Sequence, residues 1–165
     1  MVYHNIYGYD GGRGIQVYYL ILICEPMLSL KKLIIHIHHI ATHFTNALFP
    51  VSAVLITLFL ITGNSSFETA CYYSMIFGLM AIPVAYGSGV YDWKTRFQGR
   101  RTRIFDHKVV FGIIFFIIAF ISVVWRSLDG GIMHMPGWGR FLYIILIYSL
   151  TLTATYLGHL GGKFI

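Results

Sequence analysis

The sequence predicts an all-α integral membrane protein, a four-helix up-down bundle with a short irregular or interfacial segment at its N-terminus. The 165 residues are 57% hydrophobic and only 11% charged, with a mean hydropathy of +0.71. Soluble domains are typically about 45–50% apolar and about 25% charged, so this chain has too little polar surface for a water-facing globule. Four long segments, 33–67, 69–91, 109–125 and 141–162, contain no Lys, Arg, Asp or Glu. This composition excludes a disordered chain and a secreted disulfide scaffold.

Each of the four uncharged segments is long enough to cross a bilayer, because a helix needs about 20 apolar residues to span about 30 Å of hydrocarbon. We predict a bundle domain over residues 33–165. Its four membrane spans are predicted at about 43–63, 69–91, 108–126 and 140–161.

The first 32 residues are predicted to form an interfacial or partner-binding segment. Their apolar run, 15–24, is too short to span a membrane. Glu25 and Pro26 are expected to end it, and the glycines before it, Gly8 among them, favour an irregular lead-in.

Basic residues predict the orientation of the bundle, since cytoplasmic loops carry an excess of Lys and Arg. Lys31 and Lys32 precede the first span, and Lys163 follows the fourth. The connection between the second and third spans holds Lys94, Arg96, Arg100, Arg101, Arg103 and Lys108. We therefore expect a multi-pass protein of the bacterial inner membrane or an equivalent membrane, with both termini cytoplasmic. Contact with anionic lipid explains the basic loop, and no nucleic-acid partner is predicted.

Three histidines on different helices are predicted to lie at one depth in the membrane. His43, His107 and His159 each stand nineteen or twenty residues from the outer end of their span. At about 1.5 Å per residue, that places them about 28–30 Å from the outer boundary. Asp92 and Asp106 join the same layer, which lies near the cytoplasmic face.

The first helix carries further imidazoles. His36, His39 and His43 follow i, i+3, i+7 spacing and form a stripe on one face, whereas His38 points roughly the other way. Polar groups in membrane helices tend to face the bundle interior, so we expect the stripe to face partners there.

Imidazoles at matched depth on facing helices first suggest b-type haem, since bundle cofactor sites use side chains from facing helices and haem iron takes axial His ligands. His43 and His107 could bind the iron from both sides of a porphyrin. His159 and His39 could ligate a second haem or hydrogen-bond a quinone, with His36 in the same candidate set. The basic residues available to pair with haem propionates are Arg96, Arg100, Arg101 and Arg103.

Two alternatives stay open. His43, His107, His159 and Asp92 would also make a three-His, one-carboxylate set suited to zinc or iron. In a cofactor-free structural subunit, the same histidines would be satisfied polar groups at a protein interface. No Ser-His-Asp arrangement, phosphate loop or carboxylate pair stands out, so no catalytic residue is assigned.

These residues resemble the domain-of-unknown-function family 2231, a family of four-helix bacterial membrane proteins. The matching segments are His38 with His43-Phe44, Ser-Gly-Val-Tyr-Asp-Trp at 88–93, His107, and Gly-His-Leu-Gly-Gly at 158–162. The resemblance covers about residues 36–163. His39 and Thr45 stand where the family pattern has prolines, so the first helix is free to continue upstream.

Members of this family are often associated with c-type cytochrome modules, so the resemblance implies a redox setting. Together with the histidine layer, this redox setting predicts a b-type cytochrome-like electron-transfer subunit of a larger redox complex. It would contain one or two b-type haems and exchange electrons with a quinone or a c-type cytochrome partner. The lipid bilayer and other redox subunits are its expected partners.

Overall fold

A computed structural model of the protein contains four long helices. It describes the backbone of residues 11–162 and the side chains of residues 29–162. The helices are α1 (Gly11–Thr62), α2 (Ser65–Arg96), α3 (Arg103–Leu128) and α4 (Trp138–Gly162). Residues 11–162 contain no strand. Each helix has a stretch long and apolar enough to cross a membrane, with that of α1 at Ser29–Thr62. The predicted all-α class with four such helices is confirmed.

The first helix is longer than predicted. It runs for 52 residues and passes through Glu25 and Pro26. The prediction that the element formed by the apolar run stops at these two residues is therefore wrong. A proline inside a helix removes one backbone hydrogen bond and crowds the preceding turn, but this helix continues past Pro26. The expected irregular lead-in is helical from Gly11 onward, while Gly8 lies outside the described residues. An interfacial or partner-binding role for residues 1–32 stays a prediction.

Polar capping residues mark the starts of α2 and α3, which lie close to the predicted limits. Asn64 caps α2, because its side chain accepts a hydrogen bond from the Ser66 backbone N–H at 2.9 Å. Thr102 caps α3 in the same way by accepting from the Phe105 N–H. Gly63 turns the chain between α1 and α2 with φ of 70°, a left-handed conformation that glycine adopts without steric cost.

The centre of the bundle is packed around Phe49 of α1, which is fully buried. Helix α1 lies beside α2 and α4, and α3 lies beside the same two helices. Phe49 reaches across this arrangement to meet Phe115 of α3 edge-on, with ring centroids 4.8 Å apart. Thr151 of α4 donates a hydrogen bond to the Phe49 carbonyl at 3.0 Å. Phe49 therefore links α1 to α3 through its ring and to α4 through its backbone carbonyl.

A buried ion pair joins α2 and α3 near the α1–α2 connection. Glu68 is 2% exposed, and Arg126 donates to both of its carboxylate oxygens, with Nη2 at 2.9 Å from Oε2. The Arg126 guanidinium also lies over the Tyr72 ring, whose hydroxyl is 2.7 Å from Ser127 Oγ. Two-point pairing of this kind holds the helix ends in one geometry. This end of the bundle is closed, and the opposite end contains the candidate site.

Candidate functional site

A cavity of about 830 Å³ lies among all four helices, next to the α2–α3 connection. Its lining includes His43 of α1, Asp92 of α2, Lys108 of α3 and Gly158 of α4. Small-molecule sites in proteins commonly measure about 300–1,000 Å³ and combine apolar walls with a few polar groups. The cavity therefore has the size and position of a ligand site inside a helix bundle.

Charged side chains of both signs face the cavity. Asp92 and Arg96 come from the last turns of α2, and Lys108 comes from the start of α3. The Asp92 carboxylate is close enough to act electrostatically on both His38 and Lys108. Ionisable groups within membrane helices are rare and usually functional. The mixture suits a polar or amphipathic ligand that is held by hydrogen-bond donors beside a carboxylate.

Aromatic and aliphatic side chains form the rest of the wall. Phe115 and Ile82, both buried, line the part of the cavity nearest the bundle centre. At the α2–α3 connection, the Phe105 ring lies 5.7 Å from that of Trp93 and 5.3 Å from that of Phe97. The Trp93 indole N–H donates to the Arg100 carbonyl at 2.9 Å, which orients its ring. Flat apolar surfaces thus lie beside the polar groups.

His38 is the imidazole of α1 that packs against a neighbouring helix. It is half-buried, and its Nδ1 lies 3.0 Å from the Ala85 carbonyl and 3.2 Å from Ser88 Oγ. Because a carbonyl can only accept, Nδ1 carries the proton and Nε2 keeps the ring's lone pair. Gly89 permits this approach, since a Cβ there would lie 3.0 Å from His38 Cε1.

Sequence reasoning left His38 out of the candidate set, although a signal for it exists. His38 shares helical spacing with Ala41, Thr45 and Phe49, which are all buried. The face of α1 that continues the central apolar stripe therefore includes His38. The prediction that the His36, His39 and His43 stripe faces the interior is wrong for His36, which is exposed and does not line the cavity.

His39 and His43 occupy the edge of the cavity. Both line it, and both remain exposed on the surface of the chain. Among the predicted arginines, Arg96 also lines the cavity, whereas the exposed side chains of Arg100, Arg101 and Arg103 do not. The cavity thus brings together four of the predicted residues, namely His39, His43, Asp92 and Arg96.

His107 and His159 lie outside the cavity. His107 is exposed, with Nδ1 3.3 Å from the Tyr156 hydroxyl of α4, and His159 is exposed near the end of α4. His43 and His107 therefore do not face a common space. The arrangement does not fit a haem held between these two imidazoles, because the cavity's imidazoles all come from α1. The physical reason is that His107 faces its α4 neighbour instead of the bundle axis.

The predicted metal set is not assembled either. Within the part of the chain that the structure describes, no group of three or more His, Cys, Asp or Glu side chains could hold a metal ion. Of the set His43, His107, His159 and Asp92, only His43 and Asp92 line the cavity. Zinc and iron sites in proteins need three or more ligands around one point.

No known protein family, curated protein or solved structure matches this chain. The resemblance to the domain-of-unknown-function family 2231 stays a prediction.

Proposed function

We propose that this chain is a multi-pass integral membrane protein, an up-down four-helix bundle, that binds a quinone in its cavity as an electron-transfer subunit of a redox complex. The observation that carries the proposal is the cavity itself, where imidazoles, a carboxylate and two cationic side chains meet aromatic walls between apolar helices.

The surface of the bundle supports insertion into a bilayer. Large apolar side chains are exposed along every helix, and α3 alone exposes Ile113, Ile114, Phe116, Ile117, Phe120 and Ile121. A contiguous apolar surface of this kind would be unfavourable in water and is matched by lipid.

The order of contacts supports the up-down arrangement. Near its start, α2 pairs with the end of α3 through Glu68 and Arg126, whereas further along α2 the Tyr86 ring packs on Gly112, early in α3. Between α1 and α4, the Thr57 and Tyr148 hydroxyls form a hydrogen bond, and Asn46 lies against Gly158. Neighbouring helices thus run in opposite directions. The basic α2–α3 connection then favours the cytoplasmic side for the cavity.

The cavity's chemistry favours a quinone headgroup. A quinone ring is flat and apolar, and its carbonyl oxygens accept hydrogen bonds of the kind that imidazole N–H, Arg96 and Lys108 donate. A bound quinone supplies electron-carrying chemistry coupled to protons, with the electrons coming from a redox centre in a partner protein. His39 and His43 line the cavity and are exposed at its edge, where their ring N–H groups are available to a ligand.

The test uses the purified chain in lipid nanodiscs, titrated with a short-tailed ubiquinone while tryptophan fluorescence is recorded. Trp93 lies in the cavity wall, so we expect saturable quenching that Trp93→Phe abolishes. Arg96→Leu and His43→Ala should each weaken binding about tenfold, the effect of losing one hydrogen-bond donor to a quinone carbonyl. His36→Ala is the matched control, because His36 lies on the same stripe outside the cavity.

Absence of saturable quenching in the wild-type chain would overturn the quinone proposal. The same sample also tests the haem alternative by its reduced-minus-oxidised absorption spectrum. A sharp b-type haem band that disappears in His43→Ala would assign the cavity to a haem with one axial imidazole from α1. Equal binding by His43→Ala, Arg96→Leu and wild-type chains would show that the cavity is not the quinone site.

A further inference from the structure

The seam between α1 and α2, next to the cavity, is closed by side-chain contacts. His38 crosses from α1 to the Ala85 carbonyl, with its ring held against Gly89. Deeper in the bundle, Phe49 packs on Gly78, where a Cβ would come within 2.8 Å of the ring. These contacts leave no room for a ligand to pass between the two helices.

Aromatic rings close the two seams of α3. Towards α2, the Tyr86 ring covers Gly112, where a Cβ would lie 3.3 Å from the ring. Towards α4, the Tyr156 ring lies 4.7 Å from that of Phe111, and its hydroxyl contacts His107. The rings of Trp93, Phe97 and Phe105 cover the cavity from the α2–α3 connection.

The fourth seam, between α1 and α4, differs because glycines line it. Asn46 of α1 contacts α4 at Gly158, where a Cβ would lie 3.1 Å from Asn46 Nδ2. Beyond that contact, Gly161 and Gly162 also line the cavity, and among the described residues a Cβ at either position would meet nothing within 4 Å. The cavity has a gap on this side, because His39 and His43, which share helical spacing with Asn46, line the cavity and remain exposed.

The gap lies beside exposed apolar side chains of α1. Ile40 and Phe44, which flank His43, are 69% and 48% exposed, as expected for side chains in contact with lipid tails. His43, at the edge of the cavity, is also exposed. A molecule dissolved in the bilayer would reach the polar part of the cavity by this route without crossing the basic loop.

We infer that the cavity takes its ligand from the membrane through the α1–α4 gap, and that Gly161 and Gly162 form the passage for an isoprenoid tail. This inference rests on the proposed quinone site and adds how the ligand reaches it. The headgroup lies against His43 and Asp92, while the tail passes the glycines and stays in the bilayer. Glycine suits the passage because any side chain there would fill the gap.

The experiment compares a long-tailed and a tailless quinone in nanodiscs, using Gly161→Leu and the matched control Gly87→Leu. A Cβ at Gly87 also meets nothing within 4 Å, but Gly87 lies on α2 and does not line the cavity. We expect Gly161→Leu to weaken binding of the long-tailed quinone by about tenfold or more, because the leucine overfills the gap. The tailless quinone should lose less affinity than the long-tailed one in Gly161→Leu, because it leaves the gap empty, and Gly87→Leu should bind both quinones as the wild-type chain does.

The outcomes separate the two proposals. If neither quinone binds the wild-type chain, the proposed function fails and takes this inference with it. If the wild-type chain binds both and Gly161→Leu binds the long-tailed quinone equally well, the quinone site stands and the passage is overturned. Equal loss of both quinones in Gly161→Leu would place Gly161 beside the headgroup, which also overturns the passage.

Discussion

His38 and His39 are neighbours in the sequence with different surroundings in the bundle. His38 donates to a backbone carbonyl of α2, whereas His39 lies exposed at the edge of the cavity. Helical spacing predicts that the two imidazoles point in different directions. It does not predict which direction is the interior, because that depends on the neighbouring helices. His38 packs inward because Gly89 leaves space for its ring.

Tyr143 is a buried residue with an uncompensated hydroxyl. It is 1% exposed, and its Oη has no hydrogen-bond partner among the described residues. We expect Tyr143→Phe to leave the free energy of unfolding unchanged or to raise it by up to about 1–3 kcal/mol, since it removes a buried unpaired group. Thermal unfolding of the purified protein in detergent measures the change.

Tyr148→Phe is the matched control for this prediction, on the same helix. The Tyr148 hydroxyl lies 2.7 Å from Thr57 Oγ1, so its removal should lower the free energy of unfolding by about 0.5–1.5 kcal/mol. Equal destabilisation by the two substitutions would contradict the assignment of Tyr143 as unpaired.

Helices α1 and α2 approach closely where α2 carries glycine. Gly78 lies against the Phe49 ring, and Gly89 lies against His38. Small residues allow membrane helices to approach closely and gain contacts between their surfaces. The same spacing leaves Gly87 on the outer side of α2 with nothing near it. Glycines of one helix therefore have different roles according to the face on which they lie.

Alanine substitutions test this difference between the faces of α2. In Gly78→Ala, the new Cβ would lie 2.8 Å from Phe49 Cζ, and Phe49 is itself fully buried against Phe115. We expect a loss of about 1–3 kcal/mol in the free energy of unfolding from overpacking. Gly87→Ala should be neutral or stabilising by up to about 1 kcal/mol, because alanine favours a helix. If thermal unfolding shows that Gly78→Ala is as stable as the wild-type protein, the packing between α1 and α2 is looser than described.

The two ends of the bundle differ in packing and charge. One end is tied by the buried pair of Glu68 and Arg126, and the other contains the cavity and the basic α2–α3 connection. A cavity reduces the contacts between helices. We therefore expect the end with the cavity to unfold locally more readily than the end with the ion pair. The proposed binding site and the lower packing density thus coincide at the end that the positive charges predict to be cytoplasmic.

Cysteine labelling in sealed vesicles tests the orientation of the whole bundle. In a chain with Cys24 and Cys71 replaced by alanine, Gln98→Cys lies in the α2–α3 connection and Met135→Cys in the α3–α4 connection. Both parent residues are exposed. The excess of positive charge predicts that a membrane-impermeant maleimide labels position 98 from the cytoplasmic side and position 135 from the outside. Labelling of both positions from one side would contradict the up-down topology.

The number of helices and the approximate limits of α2, α3 and α4 could be predicted from the sequence. The described helices extend the predicted spans 69–91, 108–126 and 140–161 by one to five residues at each end. Apolar length, missing charge and capping residues are local properties, so they can be read along one segment. The start of α1 was missed because a proline and a glutamate are local signals for an end, and the continuous helix overrides them.

The candidate site depended on more than local properties. Sequence reasoning named His39, His43, Asp92 and Arg96 among the candidate site residues, and these four line the cavity. It could not show that His107 faces Tyr156 or that His38 packs on α2. Such contacts depend on how each helix is rotated about its axis, which is determined by the steric fit of side chains from other helices. Helix count and polarity thus follow from the chain alone, while the direction of each imidazole follows from packing between helices.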